Sequence, residues 1–447
     1  MKKKLALALL FALGIAAPAL ASAPRSLDIG PDEQVWFQED HTVPMVSFSV
    51  SLPAGSAYDP AAKAGLAAFA AYMFNEGAGP LTSEAYQSEI ANRAIQLSMS
   101  PDRDWLTLSV STLSSQAKDA FRLFALALQH PRFDADAVER VRAQMLQSIA
   151  QDQSDPAAVA ANRFYRVYFG NHPYAHPVNG DTKGLAAIRA ADLKAFAATH
   201  WVKAGARIAV AGDIDAATLT ALLKATFNPL PDAPPPAPPP VARPGAPGET
   251  IVAMPVPQPT AVFGLPGMAR ADKDYLAGYV ANYIVGGGGF SSRLTDEVRE
   301  KRGLTYGIST GLSDYRNGGV VLGQVATRED AMDASLDLVR GVLADYAAHG
   351  PTAAELADAK TYLTGSYPLA FASNAGIAAQ LNSFQRSRLP LDYVARRNGL
   401  IEALTLADVK RAAARLFDPR RMTVVVGGTI AVASSGHKPG RKPAAHG

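Results

Sequence analysis

Apolar positions recur with two periods along this chain. In residues 43–59, VPMVSFSVSLPAGSAYD, alternation sets Val46, Phe48 and Val50 on one face, as in a strand with one buried side. Residues 64–74 change to helical spacing, rich in alanine with Leu66, Phe69, Met73 and Phe74 interspersed. The same order returns in the second half, with strand-like alternation over 261–265 and a helical pattern over 275–285. Later stretches repeat more closely. Residues 188–214 lie over 404–430 at a constant offset of 216, so that Asp192 meets Asp408, Lys194 meets Lys410 and Trp201 meets Phe417. In each copy an amphipathic helix leads through a short turn into a β-branched run ending in glycine. Residues 134–148 pair with 352–366 at offset 218. A repeat on this scale predicts two tandem homologous α+β domains, each packing a sheet against helices.

Between the copies, residues 229–247 carry ten prolines in nineteen positions. Such a run can neither enter a helix nor donate a ladder of hydrogen bonds, so it reads as an extended, semi-stiff linker. A proline-rich ligand for a recognition domain is the other reading, but the central position already accounts for it. At the N-terminus Lys2, Lys3 and Lys4 precede an apolar run over 5–17, with Ala19 and Ala21 ahead of Ser22. That is the order of a secretory signal, with cleavage expected after Ala21 and a periplasmic or secreted location for the mature chain. The run is too short to span a bilayer as an anchor, since 13 helical residues cover only ~20 Å of a ~30 Å hydrocarbon core. The expected divisions are a signal over 1–21, a first domain over 22–228, a linker over 229–248, a second domain over 249–432 and a disordered tail over 433–447.

Composition narrows the chemistry. With 447 residues, 48% hydrophobic and 19% charged, the chain can bury a sizeable core and is not disordered. It has no cysteine, which removes disulfides, thiolate zinc sites and cysteine nucleophiles together. The 43 basic and 40 acidic residues include Lys2 to Lys4, so the balance is zero once the signal is gone. Setting aside Lys438, Arg441 and Lys442 of the tail leaves about −3, which gives nucleic acid no footing. Of the histidines only His172 and His176 stand at i, i+4, and prolines follow both, which favours a loop over a helical metal site. No G-x-S-x-G elbow is present, and the tetraglycine at Gly286 lacks the Gly-Lys-Ser/Thr of a phosphate loop.

Residues 63–77, KAGLAAFAAYMFNEG, resemble the first zinc helix of the insulinase/pitrilysin peptidases, the inverzincins, whose motif is H-x-x-E-H. The resemblance puts Ala68 at the first histidine, Ala71 at the glutamate and Tyr72 at the second histidine. Two histidines at i and i+4 share a helix face and can hold one Zn²⁺, while the glutamate polarises its water. Alanine has no lone pair to offer, and a phenol loses its proton only near pH 10. The family's third ligand, a glutamate some 75 residues downstream, falls near Gln147 or Ser148, with no acidic residue between Glu139 and Asp152. The expectation is therefore no metal in this chain and a relic helix packed as core, with Tyr72 plugging the vacated space.

In the second half, GGGGFSSRLTDEVREKRGLTYGIST over 286–310 is similar to the signature of the same family's C-terminal domain. By position Arg299 and Tyr306 fall on the arginine and tyrosine that reach the scissile peptide, donors suited to a developing oxyanion. The plain readings are a solvated helix face for Arg299 and a half-buried strand position for Tyr306. Gly286, Gly287, Gly288 and Gly289 read either as a helix cap or, by resemblance to the non-catalytic subunit of mitochondrial processing peptidase, as a substrate-receiving loop. The resemblance spans residues 27–428 and implies mixed sheets flanked by helices, together half of a clam-shell chamber. It further implies a zinc-less subunit without a cofactor of its own, acting in trans with a homologous H-x-x-E-H subunit that carries zinc, on peptide substrates; the lack of any other apolar stretch near 18 residues separately predicts no stable membrane insertion. The alternatives are a stand-alone peptide-binding or scaffold protein and a hydrolase with an unrecognised site.

Overall fold

The computed structural model describes residues 23–30, 34–241, 245–430 and 442–443. The expected signal over 1–21 and almost all of the tail over 433–447 lie outside them. In the first half the strands are β1 (Arg25–Leu27), β2 (Gln34–Glu39), β3 (Met45–Leu52), β4 (Gln96–Pro101), β5 (Leu106–Leu113) and β6 (Arg207–Gly212). The helices are α1 (Leu66–Tyr72), α2 (Ser83–Asn92), α3 (Ala117–Gln129), α4 (Ala135–Asp152), α5 (Pro156–Phe169), α6 (Thr182–Ala187), α7 (Ala190–His200) and α8 (Ala216–Phe227). The second half has β7 (Gly248–Val252), β8 (Thr260–Pro266), β9 (Ile308–Tyr315), β10 (Gly318–Ala326), β11 (Thr423–Gly427) and β12 (Lys442–Pro443). Its helices are α9 (Tyr275–Asn282), α10 (Met332–His349), α11 (Ala353–Gly365), α12 (Asn374–Arg386), α13 (Tyr393–Glu402) and α14 (Leu406–Leu416).

Both halves have one topology. The strand orders are β1-β2-β6-β3-β5-β4 and β12-β7-β11-β8-β10-β9. Each sheet is mixed, because β2 runs parallel to β6 and β7 to β11, while β3, β5 and β8, β10 pair antiparallel. The period-two pattern explains the layers. Val46, Phe48, Val50 and Leu52 of β3 join the first core beneath α1 and α3, and Ala261, Phe263 and Leu265 of β8 join its counterpart.

The opposite faces are covered by exchange. Helix α12 of the second half lies on β3 and β6 of the first, and α5 of the first lies on β8 and β11 of the second. Trp36, Ala209 and Ala211 meet Ile377, Ala378 and Leu381 on one side, while Ala160, Phe164 and Tyr168 meet Val262, Val320 and Val425 on the other. The serine face of β3 is therefore buried, and its hydroxyls are bonded either across to β5, as Ser47 is to Ser111 at 2.9 Å, or to the incoming helix. The Ser51 hydroxyl donates to Asn382 Oδ1 at 2.6 Å, and Asn382 Nδ2 donates to the carbonyls of Ser49 and Arg207 at 3.2 and 2.8 Å.

Two further ties join the halves. At the tip of the β9–β10 hairpin the Arg316 amide donates to Asp104 Oδ2 at 2.8 Å, and the Tyr174 hydroxyl donates to the same carboxylate. The proline segment runs along the seam, where Lys203 N donates to Pro231 O at 3.1 Å, Gly245 N to Tyr168 O at 3.0 Å, and His172 Nε2 meets Pro239 O at 2.7 Å.

Candidate functional site

Helix α1 begins after Gly65, where the Asp59 carboxylate accepts the Gly65 and Ala67 amides at 2.7 Å each. Burial pushes that carboxyl up to about 7, against the pull of both donors. From this fixed start, Ala68 and Ala71 point into packed surroundings at 0% exposure. The helix is shorter at both ends than the pattern over 64–74 predicts. Tyr72 is half-buried and its hydroxyl donates to Asn179 Oδ1 at 3.1 Å, closing the end of the helix against the loop before α6. Burial raises the phenol further from the phenolate that a cation would need.

Helix α4 packs against α1, as a third-ligand helix would, but Gln147 and Ser148 are exposed on it. The carboxylate that does lie between these helices is Glu76, which the sequence reading did not single out. It is 6% exposed and takes a two-pronged bond from Arg140 at 3.1 and 2.6 Å, with Ser83 Oγ at 2.5 Å. Burial alone would raise Glu76, but the Arg140 and Ser83 bonds outweigh it and hold the carboxyl below its usual range. Both of its oxygens accept from donors, so it is a clamp between the end of α1 and α4. Spacing could have hinted at it, since Glu76 follows Tyr72 by four residues, but its partner is 64 residues away.

Among the described residues no group of three or more His, Asp or Glu could hold a metal ion. The histidine pair is dispersed. His172 accepts the Tyr174 amide at 3.1 Å on Nδ1 and meets the linker on Nε2, while His176 Nδ1 lies 3.2 Å from Pro177 O and burial lowers its affinity for a proton. The donor set at Ala68, Ala71 and Tyr72, two methyl groups and a protonated phenol, does not fit zinc.

In the second half the expected signature is a chain of short turns. α9 ends at Asn282, earlier than the pattern over 275–285 predicts, and passes into a π-helical turn over Tyr283–Gly287. A second π-helical turn, Thr295–Glu300, carries Arg299, where the plain reading of that residue asks for a regular helix face. Such wide turns gather at functional sites. A Cβ on Gly286 would lie 2.4 Å from Thr310 Oγ1, and Gly289 has φ +60, so close packing and left-handed backbone require glycine at these two positions. Gly287 and Gly288 complete the run.

Arg293, between the two turns, is structural. It forks onto Glu355 at 2.6 and 2.8 Å and donates to Gly350 O at 3.1 Å, tying the signature to the start of α11. Its guanidinium holds the Glu355 carboxyl down at about 2. Arg299 has looser company, with Phe290 beneath it at 4.5 Å and Glu300 at 3.6 Å. Phe290 is 73% exposed, and Tyr306 is 90% exposed rather than half-buried. Tyr306 is presented by its neighbour, since Thr305 Oγ1 donates to Ala326 O at 2.6 Å and pins the loop. The structure thus exposes the Tyr306 phenol, leaves the Arg299 guanidinium partly exposed, and seals Ala68 and Ala71 inside.

Known proteins match this arrangement. Residues 34–182 fit the family model described as insulinase (peptidase family M16), and residues 187–363 fit the one described as the peptidase M16 inactive domain. A non-peptidase homolog, YmxG, of Helicobacter pylori is 26% identical over 378 residues, covering 84% of this chain and 87% of that one. An uncharacterized zinc protease of Mycobacterium tuberculosis is 27% identical over 423 residues, covering 92% and 94%. Among solved structures, a peptidase M16 inactive domain from Pseudomonas fluorescens superposes with a TM-score of 0.85 at 31% identity, covering 95% of this chain and 99% of that one. A Helicobacter pylori protease shares the fold, with a TM-score of 0.82 at 19% identity.

Proposed function

Because the chain belongs to the insulinase family, peptidase family M16, yet carries methyl groups where its imidazoles would stand, we propose that it is the non-catalytic subunit of an exported heterodimeric peptidase. A homologous partner bearing H-x-x-E-H supplies zinc, glutamate base and water. This chain supplies half of the chamber wall, and its Arg299 and Tyr306 donate hydrogen bonds to the peptide oxygen on which charge develops. The turn at Gly286 to Gly289 helps receive the peptide, and the outer strands β4 and β9 offer edges to which an extended segment can pair. The observation that carries this reading is the contrast within one chain: Ala68 and Ala71 are sealed in the core, while Tyr306 is exposed and Arg299 keeps about a third of its side chain, 32%, at the surface. The signal-like N-terminus supports export.

The test is reconstitution. The purified chain mixed with its H-x-x-E-H partner should cleave peptides that neither cleaves alone. In that complex Arg299→Ala should lower kcat by about 10²-fold and Tyr306→Phe by about tenfold, with assembly unchanged on a sizing column. Activity from this chain alone, or unchanged rates in both variants, would refute the assignment. Peptide binding without any assembling partner would instead favour the stand-alone peptide-binding reading.

A further inference from the structure

The helical layer of the second half holds a cavity of about 520 Å³ between α9, α11, α12 and α13. Its place in the fold is informative. Setting residues 64–74 on 275–285, an offset of 211, puts Tyr279 at the position of Ala68 and Tyr283 at that of Tyr72. The offset of 218 between α4 and α11 puts Ser366 at the position of Ser148. Tyr279, Tyr283 and Ser366 all line the cavity. The second half therefore keeps an open pocket where the first half has closed its ligand cradle.

The lining has a definite chemistry. Six tyrosines contribute to it, and Tyr283 stacks on Tyr362 with ring centroids 5.4 Å apart. Two arginines also reach it. Arg270 lies over Tyr275 at 4.2 Å and Tyr393 at 5.3 Å, and Arg397 lies over Tyr367 at 4.4 Å and Tyr279 at 5.8 Å. With their faces against rings, the guanidinium groups can hydrogen-bond only through their edges. Arg270 spends one donor on the Tyr393 hydroxyl at 3.0 Å, and Arg397 spends Nη1 on Leu363 O and Asn398 Oδ1 at 3.0 and 3.1 Å. Among the described residues neither makes an ion pair, unlike Arg293 or Arg140 in this molecule. Asp314, which also lines the cavity, already accepts from Ser387 Oγ at 3.4 Å. The pocket thus combines aromatic faces with donor edges that lack an anion, and its volume suits a small organic ligand.

We propose that this cavity binds an aromatic carboxylate, its ring among Tyr279, Tyr283 and Tyr367 and its carboxylate on the edges of Arg270 and Arg397. The same chemistry is offered by a free aromatic acid and by the C-terminal aromatic residue of a peptide. The site needs no second subunit, so it stands or falls apart from the heterodimer.

Calorimetric titration of the purified full chain tests it, with N-acetyl-tyrosine and N-acetyl-tyrosine amide as probes. The acid should bind saturably, and the amide about tenfold or more weaker, because a charge-assisted hydrogen bond is lost. The Arg270→Gln/Arg397→Gln double variant, checked for folding by its melting curve, should lose about tenfold or more for the acid and nothing for the amide. A heptapeptide ending in free phenylalanine that binds more tightly than the acid marks a peptide terminus as the ligand, and equal affinity marks a free acid. No saturation with either acid, or equal binding of acid and amide, overturns the proposal, and the second comparison needs no variant.

Discussion

Helices α1 and α9 occupy the same place in two copies of one topology, each following the central antiparallel strand and packing against a later helix, α4 or α11. Around α1 the space is filled: Ala68 and Ala71 are fully buried, Tyr72 closes on Asn179, and Glu76 is clamped by Arg140. Around α9 the corresponding side chains are large, yet they border a cavity instead of filling one. Shared topology has fixed where the helices run and has left the contents of the space between them to individual residues. Small residues at α1 pack into the first core, whereas the rings of Tyr279 and Tyr283 line the open space beside α9.

The comparison can be broken most strongly at the exchanged helices, on which both halves depend. Phe164→Ala, in α5 against the second sheet, should destabilise the whole chain by about 3–5 kcal/mol, since a fully buried ring leaves a cavity behind. Urea denaturation should then show both halves unfolding earlier in a single transition. If the second half alone is lost, the halves are energetically separate.

Acid and base should act on the halves in opposite senses. Asp59, raised to about 7, favours the fold while protonated, so its contribution is full below about pH 4 and is lost as pH rises through 7. On the order of 4 kcal/mol is at stake, and Asp59→Asn should remove that slope. Glu355, held at about 2 by Arg293, contributes above about pH 4.5 and loses its contribution as pH falls toward 2. Its partial exposure reduces the effect to about 1–2 kcal/mol, abolished in Glu355→Gln. Denaturant midpoints from pH 3 to 8 for the parent and both variants check the signs.

Exchanging the sizes at equivalent positions sharpens the comparison at smaller cost. Ala68→Tyr should lower stability by about 1–3 kcal/mol through overpacking, and Tyr279→Ala by about 1 kcal/mol or less because its ring borders open space. Equal melting temperatures for the two variants would mean that the first half has a void of its own.

The sequence made the repeat legible because helix α7 and strand β6 return in α14 and β11 without a gap, down to the paired Asp192 and Asp408. It also located α1 and β3, whose patterns depend on local spacing, and the run around Arg299 through its likeness to a family signature. What it concealed depends on partners far along the chain. Ser49 and Ser51 look like a solvent face until Asn382, more than 330 residues later, is seen to bond the Ser51 hydroxyl and the Ser49 carbonyl. The cavity is equally hidden, since Tyr279, Tyr367 and Arg397 belong to three elements and no short window contains them. The Glu76 clamp is hidden for the same reason, since its partner Arg140 lies 64 residues away.

The mutual exchange of α5 and α12 bears on what the proline segment is for. Each sheet is roofed by a helix that belongs to the other, so the two halves are interlocked like clasped hands and not merely tethered. A protease nick between Asp232 and Ala237 would break the covalent thread without freeing either fragment, and the two pieces would travel together until denatured.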